Sequence, residues 1–207
     1  MRRKLGSLLM VLGVLLIAGA LGLLLRNQRE ARSAEEAAGL LLPQIRQEAE
    51  LSDQARQETV GPDYQNVPVE LLEPEDVEMK EVVINGHAYI GYLSIPALEL
   101  ELPIMSGWTY RKLQIAPCRY YGTLLGRDLV LMAHNYPKHF GKISKLKEGD
   151  RVFFTDMDGV VTEYQVVAQD ILLPGAVEEM TAGAYDLTLF TCTYGGASRV
   201  TVYCDMV

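Results

Sequence analysis

Behind the tetrapeptide MRRK, the chain carries no charged residue from Leu5 to Leu25. As a helix rising about 1.5 Å per residue, this run is roughly 31 Å long, which matches a hydrocarbon core of about 30 Å. A cleaved leader and a retained anchor compete for it. Ala18-Gly19-Ala20 offers small residues for cleavage, but LGLLL continues the apolar run beyond them. The apolar part of a leader spans only about 7–15 residues, so a retained anchor is expected. Arg2, Arg3 and Lys4 precede the run and Arg26, Arg29 and Arg32 follow it. Charge alone therefore barely separates the two orientations. The expected arrangement has the N-terminus inside and the bulk of the chain exported.

Residues 26 to about 58 are rich in Ala, Glu, Gln and Arg and read as a helix that Pro43 should kink or interrupt. From Thr59 to Glu78, three prolines sit among acidic residues, a composition that cannot bury a core and reads as an extended linker. The expected organisation is a cytoplasmic tip and membrane anchor over 1–25, a helical stalk and acidic linker over 26–80, and a globular part over 81–207.

That last part has the grammar of β-structure. HAYIGYLSI, LELELPI, DLVLMAH, DRVFFTD, VVTEYQVVAQDIL, YDLTLFTC and SRVTVYC are short apolar or alternating runs separated by Gly, Pro and Asp. Strands this closely spaced predict a mostly β fold, a closed barrel or a sandwich with short helices. Asp158-Gly159 marks a hairpin. About 125 residues suffice for one core.

The formal net charge of −8 disfavours a nucleic-acid partner. Three cysteines cannot all pair internally, and Cys118, Cys192 and Cys204 lack the spacing of a zinc site or a CxxC pair. Neither a metal nor a cofactor is expected. In RVTVYCDM, period-two alternation puts Val200, Val202, Cys204 and Met206 on one apolar face, with Cys204 in the core. In DLTLFTC, Leu187 and Leu189 face inward. Thr188, Phe190 and Cys192 face away, on the same side as Arg199, Thr201 and Tyr203. Cys192 and Arg199 therefore flank one short loop off the core. On pattern alone, a space-filling cysteine and a reactive one are equally good readings. His134 tips the balance, because it ends the apolar strand LVLMA where reactive groups are commonly displayed. A thiol acts as thiolate, which a neighbouring imidazole or cation generates or stabilises. A guanidinium donates in a fork that suits an oxyanion or carbonyl.

TLFTC with a following Arg resembles the TLxTC…R signature of the sortases, membrane-anchored cysteine transpeptidases of Gram-positive surfaces. IGYLSIPALELELPIMSG is similar to the family's opening strands, GTLLGRDLVLMAHN to its histidine strand, and FGKISKLKEGDRVFF to the segment that follows. The similarity covers roughly residues 84–207. It implies an eight-stranded barrel, with Cys192 as nucleophile, His134 as general acid/base and Arg199 at the oxyanion or the substrate backbone. Thr191 would add a hydroxyl or backbone donor. The implied reaction cleaves an LPxTG-like sorting signal of a surface protein or pilin through a thioester. The acyl group then passes to an amine of the cell wall or of a pilin lysine. The resemblance also supports an extracellular catalytic domain on a single-pass anchor.

Ala133 stands where many relatives carry Gly. The short TYGGAS loop predicts a low groove wall. The brief ILLPGAVEEMTAG connection disfavours the long insertion of class B, and the lack of a convincing aromatic lid motif or second apolar span disfavours the pilin-polymerising class C. Two other enzyme types fit poorly: an L,D-transpeptidase joins Cys and Arg more tightly than Cys192 and Arg199 are joined here, and a papain-like peptidase places Cys before His, whereas His134 precedes Cys192. A silent barrel that binds surface proteins without cleaving them is the alternative from another class. Elsewhere His139 reads as solvated beside Lys138, and His87 as following a turn. Trp108 fits packing or groove lining equally, Tyr120 and Tyr121 read as packing, and Cys118 shows no partner.

Overall fold

Period-two alternation in the C-terminal two thirds of the chain becomes nine strands. The computed structural model describes the backbone of residues 2–59 and 79–207, with side chains over 10–57 and 79–207. The strands are β1 (Val82–Ile84), β2 (His87–Ile95), β3 (Leu100–Met105), β4 (Cys118–Tyr121), β5 (Leu129–Ala133), β6 (Arg151–Asp156), β7 (Val161–Leu172), β8 (Leu187–Cys192) and β9 (Arg199–Met206). Their order is β1-β2-β3-β4-β5-β8-β9-β7-β6, and β6 pairs back onto β2. That last pairing closes an eight-stranded barrel, with β1 as a short extra strand on the edge of β2. Every quoted run forms a strand; β1 and β4 are additions. The hairpin at Asp158-Gly159 joins β6 to β7.

Inward side chains fill the barrel, among them Ile90, Leu102, Leu131, Phe154, Leu189 and Val202. Cys204 joins them with no exposure. The opposite face of β8 and β9 is not open as alternation implied. Thr188, Phe190, Thr201 and Tyr203 are also buried. Leu172 at the end of β7 and Met180 of a short helix in the β7–β8 connection, Val177–Thr181, pack with Phe190. Tyr185 stacks on Tyr203 at 4.4 Å. Period-two reasoning gives the direction of a side chain but not what a later loop lays over it.

Helix α1 (Arg2–Thr59) is unbroken. It carries an 18-residue window of mean hydropathy 2.0 with nothing buried, so it is long and apolar enough to cross a membrane. The helix continues through Pro43, contrary to an interruption there. Tertiary packing explains why. Ala34, Ala38, Leu41, Ile45 and Ala49 recur at spacings of three and four and are buried against the barrel. Burial of such a stripe offsets a proline cost of about 3 kcal/mol. Leu41, Ile45 and Ala49 pack with Ile84, Tyr89, Met105 and Met157 over the outside of β1 to β3. Gly159 allows the closest approach. A Cβ there would lie 2.5 Å from that of Asp53 and 2.8 Å from the Ala49 carbonyl, at a φ of +78°. The acidic linker expected before Glu78 lies outside the described residues.

Candidate active site

Strand pairing alone assembles the site. Cys192, the last residue of β8, is the Cα partner of Arg199, the first residue of β9. β5 runs parallel to β8 with Ala133 opposite Thr191, so the next residues, His134 and Cys192, come at one level at the end of the two strands. Thr191 donates its hydroxyl to the Ala133 carbonyl at 2.8 Å, a buried bond that ties the histidine strand to the cysteine strand. His134, Thr191, Cys192 and Arg199 all line one cleft of about 180 Å³. Its apolar side is built from Tyr120, Met132, Met180 and Phe190.

An aromatic chain runs from rim to floor. Trp108 lies 5.8 Å from Tyr120, and Tyr120 meets Phe190 edge-on at 5.2 Å. Trp108 and Tyr120 thus serve both packing and lining, whereas Tyr121 is exposed outside the cleft. A larger open depression of about 540 Å³ lies beyond them. It contains no cysteine or histidine, and its two charged groups are paired: Arg119 Nε donates to the Ser106 carbonyl at 2.8 Å, and Asp128 accepts from the Thr123 amide at 2.9 Å.

Of the three thiols, Cys118 and Cys204 are buried, and burial pushes each up to about 12. Cys192 is the partly exposed one. Burial holds the His134 pKa below its ordinary value, while the carboxylate of Glu30 on α1 acts in the opposite direction. A half-buried imidazole kept neutral near pH 7 is suited to accept a proton. Arg199 Nη1 donates to the carbonyls of Gly196 and Ser198 at 3.3 and 3.2 Å. Among the described residues no carboxylate pairs with it.

The support behind His134 was not anticipated. Its ring lies 4.9 Å from that of Tyr136, which lies 5.5 Å from that of His139. His139 is not solvated but fully buried. Burial, with His134 nearby, pushes its pKa down to about 4. The Ala34 backbone of α1 pulls the other way, yet neither ring nitrogen makes a hydrogen bond of normal geometry among the described residues. Lys138 turned outward, toward Glu35 of α1 at 3.8 Å, which leaves the next residue to point in. A three-four stripe in the stalk was the available signal that α1 would cover this loop.

The family model for the sortase domain matches residues 93–207. The chain belongs to the sortase family. Sortase A of Bacillus anthracis is 28% identical over 126 residues, covering 58% of this chain and 60% of that protein, so this sortase spans about three fifths of its curated relative. Among solved structures, sortase A from Corynebacterium diphtheriae superposes with a TM-score of 0.55 at 22% identity, over 87% of this chain and 93% of that one. Sortase C of Streptococcus pneumoniae gives 0.55 at 25% identity, over 83% and 96%. Sortase C1 from Streptococcus suis gives 0.53 at 27%, over 75% and 94%. Sortases of both the A and C types thus share the closed barrel.

Proposed function

We propose that this sortase is a cysteine transpeptidase that cleaves an LPxTG-like sorting signal and transfers the acyl part to an amine of the cell wall or of a pilin. The observation that carries this reading is the convergence of Cys192, His134 and Arg199 on one cleft with an apolar side. His134 takes the thiol proton as the sulfur attacks the carbonyl of the scissile bond. Arg199 donates to the oxygen that becomes negative. The C–N bond breaks, the proton on His134 goes to the departing amine, and a thioester remains on Cys192. An incoming amine attacks the thioester carbonyl as His134 removes the amine's proton, the C–S bond breaks to leave the new amide, and that proton returns to the sulfur. Thr191 acts through the β5–β8 clamp that sets the distance between imidazole and thiol. α1 crosses the membrane with the barrel on the extracellular side.

The test uses the full chain in detergent with quenched LPxTG-variant peptides, with and without hydroxylamine. Cleavage is expected to rise with hydroxylamine, which captures the thioester, and to vanish in Cys192→Ala. Cleavage that survives this substitution would overturn the thioester route. Peptide binding without turnover would favour a silent barrel.

A further inference from the structure

We propose that the β8–β9 turn is a lipid-binding surface. In this arrangement Tyr194 at its tip inserts at the headgroup level of the bilayer that α1 crosses, and the active-site cleft opens at the membrane surface. The proposal rests on the reading of α1 as a membrane anchor.

The position of the barrel relative to the anchor is set by an unbroken helix. The last residue of the apolar run, Leu25, and the first docked residue, Ala34, are nine residues apart on α1, about 14 Å of helix with no hinge between them. A gap of about 370 Å³ separates α1 from the turn. On the helix it is lined by Ala20, Leu23, Leu24 and Asn27, one face of the final apolar turns. Across from them stand Tyr194 and Gly195, with Asn135 of the histidine loop. The turn therefore lies level with the end of the apolar segment. Ala20 is itself about 7.5 Å to the membrane side of Leu25.

The turn suits such a place. Thr193 to Ser198 carries no charge, so bringing it to lipid desolvates no ion. Tyr194 is 85% exposed, a large ring with a polar tip, the residue type that collects at membrane interfaces. Its direction is held. The Thr193 amide donates to the Ser198 carbonyl at 2.9 Å, the Gly196 amide donates to the Thr193 carbonyl at 2.9 Å, and Gly195 and Gly196 take the positive φ values the turn needs. Cys192 is two residues from the tip, so its Cα lies within about 7 Å of that of Tyr194. The nucleophile is thus held just above the lipid, where a membrane-tethered substrate meets it without lifting its own anchor.

Depth-dependent quenching tests this on the full chain. The sole tryptophan, Trp108, is replaced by Phe, and single tryptophans are introduced as Tyr194→Trp, Ile17→Trp and Val160→Trp. Val160 lies beside the Gly159 contact with Asp53, about 42 Å along α1 from Leu25, and serves as the distant control. Each variant is reconstituted in phosphatidylcholine–phosphatidylglycerol vesicles with acyl chains brominated near the headgroup. The expected result is loss of fluorescence for the tryptophans at 194 and 17, with a blue shift at 194, and none at 160. Quenching at 17 with none at 194 would overturn the proposal and leave the anchor intact. Absence of quenching at both would overturn the anchor and the proposal together.

Discussion

His139 shows how one buried imidazole makes a whole protein sensitive to pH. Folded, it is pushed down to about 4 from 6.5, so between those values the unfolded chain binds more protons than the folded one. Stability therefore rises with pH across this window, is complete above about 6.5, and is lost as pH falls. At about 1.4 kcal/mol per tenfold change in proton affinity, the loss is on the order of 3–4 kcal/mol. His134 shifts in the same direction and adds to it. The melting temperature should drop between pH 6.5 and 4 in the native chain and much less in His139→Leu, as a pH series by circular dichroism would read. At Arg199, the Arg199→Lys change keeps the charge and loses the fork. Under the proposed mechanism, in which this donor acts on the developing oxyanion, kcat is expected to fall about 100-fold with KM changed little; peptide cleavage kinetics check it. That Cys192 and Arg199 flank one loop was legible, since alternation is a local property; that His134 lines the same cleft was not, because it depends on the pairing of β5 with β8. His139 was misread because a polar residue in a loop says nothing about a helix that arrives from far upstream.

Two contacts between elements set the site. The Thr191–Ala133 bond joins β5 to β8. Thr191→Val keeps the shape and removes this bond, so it should cost about 0.5–1.5 kcal/mol in urea unfolding. On the outside, the stripe on α1 decides whether the helix stays on the barrel. Ile45 is fully buried, so Ile45→Ala should cost about 2–5 kcal/mol by the same measurement. The ion pairs of this contact, Lys138–Glu35 and Arg46–Glu101, are about half-exposed and worth at most about 1 kcal/mol each. Apolar burial therefore dominates. The strands were readable from their runs, except β1 and β4. The first has three residues, and the second lies in CRYY, whose tyrosines read as packing rather than as a strand.

For the molecule as a whole, α1 carries both the membrane-length apolar run and the stripe that docks on the barrel. A chain beginning near residue 27 keeps the docked stripe, whereas one beginning near residue 60 uncovers Tyr89, Met105 and Met157. The shorter chain should melt lower and self-associate, as scanning calorimetry and light scattering of the two would show. Much of this protein follows from local sequence. Hydropathy over one run determines a membrane-length helix, alternation determines the strands, and the order of His, Cys and Arg motifs indicates the family. The tertiary structure alone decided that α1 passes unbroken through Pro43, that it seals His139 inside, that the β7–β8 connection covers the outer face of β8, and that the β8–β9 turn faces the last apolar turns of α1. Each of these depends on what a distant segment buries, and burial between distant segments leaves no periodic trace within either one.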